Sequence, residues 1–222
     1  MPKLQRLHAD HAPAVLAFEL ANRTYFATFI SDRGDEFFDQ FAERHSAQLA
    51  EQDAGISAFY VLVAEDCSVL GRFNLYAIKD GTAELGYRVA QHVAGRGVAT
   101  ATVRELCRLA AAQHGLRTLR AATSHENTAS QQVLIKGGFV PVGPADPAHL
   151  GGKQGTWYQR DLAAGDLPGG MRHDSDDPRD PPVGLPARDL GHRRLVGRPP
   201  HGGHAPAPVL RALHGHLFRG RA

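Results

Sequence analysis

The sequence predicts an α+β fold in which a mixed, mostly antiparallel sheet is flanked by helices. A dense β-prone stretch is broken twice by tight-turn signals, at 65–68 and 79–82, which indicates three antiparallel strands joined by hairpins. An apolar pattern of helical period follows over 97–114, and Gly115 is its natural stop. A chain of about 160 residues with this pattern can bury roughly 70% of its unfolded surface, enough for one domain.

The predicted elements follow the order β-α-α-β-β-β-α-β-α-β-β. The N-terminal elements are a strand at 3–7, a helix through Leu20 after an N-cap at Asp10, and a helix over about 36–52. The hairpin strands are 58–64, 69–78 and 83–90. The C-terminal elements are helix 97–114, strand 117–123, helix 127–136, a strand starting at 139 and a last strand at 155–162.

The composition changes abruptly near residue 165. The first 164 residues hold all four lysines and all eight glutamates and carry a net charge of −1. The last 58 hold nine of the 14 prolines and carry +3. We therefore predict a folded domain over 1–164 and a disordered Pro/Gly/Arg/His-rich tail over 165–222, in which only 209–218 has amphipathic character.

The tail composition is typical of GC-rich codons read in an unselected frame, so we hypothesise a frameshift or read-through near residue 165. Resequencing the locus tests this, and an unbroken frame shared by close relatives would contradict it. The tail arginines alternate with Asp and Pro, which predicts no specific nucleic-acid partner. The tail histidine pairs 201/204 and 214/216 have metal-like spacing, but nothing fixes their geometry, so no metal site is predicted.

Cysteine content and hydropathy exclude several classes of protein. Cys67 and Cys107 are the only cysteines, too few for a disulfide framework and without CxxC spacing. A small buried residue is the expected role of Cys107 within its helix. The N-terminus lacks the apolar core of a signal peptide, and no apolar run is long enough to span a membrane. These features predict a cytoplasmic protein with no membrane partner.

Gly95-Arg96-Gly97 lies between a predicted strand and a predicted helix. Glycine lets the backbone turn sharply and approach a ligand, and the unpaired amides and positive dipole end of the helix favour an anion such as phosphate. An ordinary βα loop is the alternative. A dinucleotide fingerprint is disfavoured, because Thr100 replaces the third glycine and the preceding strands are antiparallel. The Gly-Lys-Ser/Thr of nucleotide hydrolases is absent.

The segments YRVAQHVAGRGVAT (87–100) and NTASQQVLIKGGF (127–139) together resemble the GNAT (Gcn5-related) N-acetyltransferases. The similarity is to the RimJ/RimL-like branch, which acetylates ribosomal-protein N-termini, and it covers roughly residues 3–162. It implies a GNAT fold with a sheet splayed at a bulge, acetyl-CoA as co-substrate, and a primary-amine acceptor, foremost a protein N-terminal α-amine. A polyamine or antibiotic acceptor, or a non-catalytic acetyl-CoA-binding module, stays open as an alternative.

The resemblance also implies how the donor is held. The family's motif Arg/Gln-x-x-Gly-x-Gly/Ala, which wraps the coenzyme A diphosphate, matches from His92 to Gly97, with His92 in place of Arg/Gln. Strand 83–90 would splay at a bulge, for which Gly86 is suited, and its free backbone would pair with the pantetheine arm. The implied donor-binding residues are Tyr87, Val89, His92, Val93, Gly95, Arg96, Gly97, Val98, Ala99, Thr100, Asn127 and Ser130.

Acetyl transfer requires a neutral amine, and an α-amine with a pKa near 8 needs only modest help from a base. Glu84 is the predicted base, because strand alternation places it on the face opposite Leu85 and Tyr87. A solvated strand carboxylate is the alternative reading of Glu84. His125 and Glu126, at a strand end, form an alternative acid/base pair.

Many family members protonate the leaving thiolate with a Tyr seven residues after the helix-opening Asn. From Asn127 that position is Leu134, so this acid is missing. The RimJ/RimL-like branch has Ser three residues after the Asn, which implies Ser130 for the role; a helix-surface serine is the alternative. Asn127 itself is expected to cap its helix, to contact pantetheine, or to do both.

The acceptor side is less specific in sequence. In this fold, residues 17–30 would form the lid over the acceptor. Its polar residues are Glu19, Asn22, Arg23 and Tyr25, with Asp32 and Asp35 following. Acidic groups there would suit a cationic amine, although helix-surface and capping roles are equally compatible with the pattern. The sequence leaves the oligomeric state open, a homodimer included.

Overall fold

A seven-stranded sheet organises the computed structural model, which describes residues 1–162. The strands are β1 Lys3–Arg6, β2 Ala58–Val63, β3 Val69–Lys79, β4 Thr82–Val89, β5 Thr118–Ser124, β6 Val140–Ala145 and β7 Gly155–Asp161. Their order is β1-β2-β3-β4-β5-β7-β6, and every neighbouring pair is antiparallel except β4 and β5. The predicted fold class is confirmed. The predicted tail, 165–222, with its segment 209–218 and its histidine pairs, lies outside the described residues.

The described α-helices flank this sheet. They are α1 Ala12–Ala21, α2 Arg23–Ala27, α3 Asp35–Asp39, α4 Phe41–Asp53, α5 Val98–His114 and α6 Thr128–Lys136. The single helix predicted over 36–52 is wrong, because Gln40 has a ψ of 15° and ends the hydrogen-bond ladder of α3 before α4 begins. Asn22 ends α1 in a similar way, and its side-chain amide donates to the Phe18 carbonyl.

Each face of the sheet has its own apolar core. On one face α5 and α6 pack against strands β2 to β5, and the largest fully buried side chains there are Phe73, Leu75, Leu106, Leu119 and Leu134. Cys107 is fully buried in the same cluster, as expected. On the other face, aromatic residues of α1 to α4 cover Phe59 and Val61. Burial of each such side chain contributes about 1.5–3 kcal/mol, so both helical layers are fixed to the sheet.

The sheet opens between β4 and β5. Only three residue pairs join these strands, from Thr82↔Thr118 to Glu84↔Arg120. Beyond Glu84, β4 stays paired with β3 while β5 stays paired with β7, so a gap separates them. This gap is the splay that positions the site.

The expectation that Gly86 forms a bulge is wrong. Gly86 pairs regularly with Asn74, and the register shift lies in β3 between Tyr76 and Lys79, where Ala77 has a φ of +50°. A Cβ added to Gly86 would lie 2.9 Å from Cε2 of Tyr76. The glycine therefore serves the close approach of the Tyr76 ring rather than an extra residue in the strand.

Candidate functional site

The free edge of β4 borders the gap. The Ala90 amide donates to the Leu70 carbonyl, so alternate residues of β4 direct their backbone groups toward β3. By the same alternation, the amides and carbonyls of Tyr87 and Val89 face the gap, where β5 does not pair with them. Unpaired backbone groups of this kind can bind an extended ligand as a missing strand would.

The glycine turn lies directly beyond this edge. Gly95 and Gly97 have φ values of +74° and +79°, and a Cβ on either would meet nothing within 4 Å. Glycine is needed there for backbone conformation and not for space. α5 begins after Gly97 without a side-chain cap, and the Ala101 amide donates to the Gly97 carbonyl. The amides of its first turn, Val98–Thr100, therefore face the turn unpaired and favour an anion.

The residues before the turn are held by the C-terminal end of α1. Gln91, His92 and Val93 form a short 3-10 helix in which His92 is exposed and Val93 is half-buried. Buried Asn22 accepts a hydrogen bond from the Gln91 amide at 2.9 Å. Asn22 was expected to be a polar lid residue, and its hydrogen bond to the segment before the glycine turn had no signal in the sequence.

Ser130 meets Tyr87 across the gap. The Tyr87 hydroxyl lies 3.0 Å from Oγ of Ser130 and 3.3 Å from its carbonyl oxygen. Oδ1 of Asn127 accepts from the Ser130 amide at 3.0 Å, so Asn127 is the N-cap of α6 and its side-chain NH₂ is left over for another contact. Burial raises the pKa of Tyr87 to about 12, which keeps the phenol protonated at neutral pH.

Tyr87 was expected only to bind the donor, and its hydroxyl contact with Ser130 adds a polar pair that sequence reasoning missed. The Tyr87 ring stacks on Phe73 with 5.9 Å between centroids, which fixes the direction of its hydroxyl. Leu134, at the position where a Tyr acid often stands in the family, is fully buried in the core. On this face of β4, Tyr87 and Ser130 therefore form a polar pair where Leu134 offers no polar atom.

Glu84 lies on the opposite face of β4. Leu85 and Tyr87 point into the cluster under α5, whereas Arg88, which shares the face of Glu84, contacts Glu19 of α1. The Glu84 side chain is half-buried, and its carboxylate forms no hydrogen bond or ion pair with other residues in 1–162. A carboxylate in this state can accept a proton without first breaking an internal contact.

The alternative pair, His125 and Glu126, is already engaged elsewhere. Glu126 is exposed and forms an ion pair with Lys153 at 2.9 Å, while Nε2 of His125 lies 3.1 Å from the Thr156 hydroxyl.

The carboxylates near the lid are all paired with arginine. Arg23 binds Asp32 and Asp35, each at 2.6 Å, and its guanidinium holds the pKa of Asp32 below the usual value. Glu19 is buried and contacts three arginines. Each of these acidic groups is therefore already paired with an arginine, although Arg23 alone serves both Asp32 and Asp35. That they suit a cationic amine stays a prediction.

Within residues 1–162 no group of three or more His, Cys, Asp or Glu side chains is arranged to hold a metal ion. No helix in that range is both long and apolar enough to cross a membrane. Cellular location and oligomeric state stay predictions.

Comparison with known proteins identifies the family. The family model described as an acetyltransferase (GNAT) domain matches residues 3–140. Similar solved structures include the ribosomal-protein-S5-alanine acetyltransferase from Vibrio fischeri, with 17% identity, a TM-score of 0.68, and coverage of 73% of this chain and 94% of that chain. Mycobacterium smegmatis RimJ in complex with CoA-disulfide has 22% identity, a TM-score of 0.65, and coverage of 75% and 83%.

Spermidine N-acetyltransferase from Vibrio cholerae, in complex with CoA and spermine, has 15% identity, a TM-score of 0.60, and coverage of 72% and 95%. At these identities the structural likeness establishes the fold alone. No curated protein matches the chain by sequence. The family model spans more than half of the chain, and the protein therefore belongs to the GNAT acetyltransferase family, whose acyl donor is acetyl-CoA.

Proposed function

We propose that this protein is an N-acetyltransferase whose acceptor is the α-amine of a protein or peptide N-terminus. The observation that carries the proposal is the division of the two faces of β4: Glu84 lies on one, and the Tyr87–Ser130 pair lies on the other. An amine entering from the α1 face and a thiolate leaving on the α6 face would each meet a suitable group.

The donor is proposed to lie along the free edge of β4. Backbone groups of Tyr87 and Val89 would pair with the pantetheine arm. The turn 95–97 and the first amides of α5 would together bind the diphosphate. Arg96 and His92 are exposed beside that turn and would add charge or a hydrogen bond. The NH₂ of Asn127, unused by its capping contact, would reach a pantetheine carbonyl.

In the reaction the amine nitrogen forms a bond to the acetyl carbon while the carbon–sulfur bond breaks. Glu84 accepts the proton that the amine loses, directly or through a water. Ser130 donates a hydrogen bond to the departing sulfur, which leaves as a thiolate and takes its proton from solvent. Because the Tyr87 phenol stays protonated, it can donate to Ser130 and leave the serine hydroxyl hydrogen free to point at the sulfur.

An α-amine is favoured over a lysine side chain by acidity. The α-amine has a pKa near 8 and a lysine near 10.4, so a much larger fraction of the α-amine is neutral at pH 7. A single unpaired carboxylate at Glu84 is therefore a sufficient base for an α-amine and a less effective one for a lysine amine.

Release of free thiol from acetyl-CoA, measured with a panel of N-terminal peptides, polyamines and aminoglycosides, tests the proposal. We expect release with peptides, and mass spectrometry should locate the acetyl group on the α-amine. Release with polyamines or aminoglycosides alone would establish a small-amine enzyme instead. Binding of acetyl-CoA without release of thiol for any amine would establish a non-catalytic module. The absence of the usual Tyr acid at the position of Leu134 would be consistent with that outcome.

Replacement of Ser130 by alanine should lower kcat by about 10- to 100-fold, the effect of losing one hydrogen bond to a developing charge. The dissociation constant for acetyl-CoA should stay unchanged, because the diphosphate and pantetheine contacts remain. Calorimetric titration and steady-state rates measure the two quantities. Ser46→Ala removes a comparable but exposed helix hydroxyl of α4 and should alter neither. Full activity of Ser130→Ala would exclude the assigned role.

A further inference from the structure

We propose that the acceptor carries a carboxylate close to its amine, and that Arg33 and Arg88 bind it. The preferred acceptors of this protein are then peptide N-termini with aspartate or glutamate at the second or third position. The inference rests on the proposed function and adds a substrate class to it. The charges of the side chains around Glu19, beside the lid, are unbalanced.

One carboxylate serves three guanidinium groups there. Glu19 lies 2.9 Å from Arg72, 3.1 Å from Arg88 and 3.6 Å from Arg33. The second nitrogen of Arg72 donates to Gln48, which is neutral. No other carboxylate in residues 1–162 forms an ion pair with these arginines. The cluster therefore holds an excess of positive charge.

The excess charge is largely removed from water. Side-chain exposure is 2% for Glu19, 3% for Arg72, 18% for Arg88 and 23% for Arg33. Uncompensated charge in such surroundings is costly, and an anionic ligand is one means of compensating it. Arg33 and Arg88 retain enough exposure to reach such a ligand, whereas Arg72 does not.

Both arginines are held in place with donors to spare. Arg33 lies over the Phe37 ring at 4.3 Å, and Arg88 lies over the Phe26 ring at 5.3 Å. Stacking fixes each guanidinium plane. Each contacts Glu19 through one terminal nitrogen, and a guanidinium has five N–H donors, so several are available to a carboxylate.

The location matches an N-terminal peptide. Arg88 shares the face of Glu84 and lies four residues along β4, about 13 Å away at strand spacing. An extended peptide advances about 3.3 Å per residue, so an amine at Glu84 places the second or third side chain within reach of the arginine. The small cavity beside Arg33 and Arg88 has a volume of about 10 Å³, which accommodates one ligand oxygen rather than a whole side chain. Its other charged lining residues are Glu19, Asp32 and Arg23, and Arg23 is paired with Asp32, so Arg33 and Arg88 still outnumber the remaining carboxylate, Glu19.

Acetylation kinetics of two peptides that differ only in aspartate or asparagine at positions two and three test the inference. We expect kcat/KM to be at least about 10-fold higher for the aspartate peptide, as a charge-assisted contact provides. Arg33→Gln, Arg88→Gln and the double variant should reduce this ratio toward one. Arg44→Gln is the matched control, because Arg44 also lies near the Phe37 ring but makes no contact with Glu19, and it should preserve the ratio.

The outcomes separate the two proposals. Equal kcat/KM for both peptides, or a preference that survives the double variant, would overturn the carboxylate site while leaving α-amine acetylation intact. Absence of acetylation of either peptide would overturn the proposed function itself. Arg33 is the more exposed partner of Glu19, so Arg33→Gln gives a folded variant for the test if Arg88→Gln fails to fold.

Discussion

Glu84→Gln is expected to lower kcat by about 100-fold or more, the usual contribution of a positioned general base. Glutamine keeps the size of the side chain but cannot accept the proton that the amine loses. The loss should be greatest below pH 8, where an α-amine is mostly protonated and depends most on the base. Steady-state rates with an N-terminal peptide between pH 6 and pH 9 measure it.

The control for this variant is Glu126→Gln. Glu126 is exposed and already forms an ion pair with Lys153. Its replacement should leave kcat within about twofold of the parent, as surface substitutions normally do. If Glu126→Gln loses activity and Glu84→Gln retains it, the base lies at the strand end after β5 and the division of β4 into an amine face and a thiolate face is wrong.

Glu19→Gln is expected to destabilise the fold by about 3–5 kcal/mol, the range for removing one partner of a buried ion pair. Glutamine fills the same volume, so the effect is electrostatic: Arg72, at 3% exposure, loses its carboxylate and remains buried. Urea denaturation followed by circular dichroism measures the free energy of unfolding. The midpoint should fall while the slope stays constant.

Asp32→Asn provides the matched surface comparison. The side chains of Arg23 and Asp32 are 34% and 44% exposed, and pairs of this kind contribute about 0–1 kcal/mol. A loss for Glu19→Gln that is no larger than the loss for Asp32→Asn would mean that water or a rearranged Gln48 compensates Arg72. The buried ion pairs of Glu19 would then add nothing measurable to the free energy of unfolding.

The parts of the fold that depend on neighbours in sequence could be predicted. The Asp80-Gly81 turn has φ values of +51° and +77°, the positive values that this dipeptide favours in a tight hairpin. The end of α5 at Gly115 follows the same logic, with a φ of +61°. The break at Gln40 could not be predicted, because glutamine is a good helix former and no Pro or Gly marks the position.

The features of the candidate site also divide into those set by sequence neighbours and those set by distant contacts. The glycine turn and the Asn127 cap are local and could be predicted from spacing. Contacts between distant segments could not: 43 residues separate Tyr87 from Ser130, and 69 separate Glu19 from Arg88. The lid carboxylates were expected to suit a cation, since the sequence does not reveal that Arg72 of β3 and Arg88 of β4 meet Glu19.

The splay between β4 and β5 has a further consequence for self-association. A strand edge with unpaired amides and carbonyls normally invites another chain to add a strand, and proteins protect such edges with charges, bulges or short strands. Here the unpaired stretch of β4 lies in the interior of a seven-stranded sheet, between β3 and β5. β5 flanks that edge, so the stretch is not at the border of the sheet where a second chain normally adds a strand. The protein thus has the unpaired backbone groups of an edge strand at a position where strand addition by another chain is disfavoured.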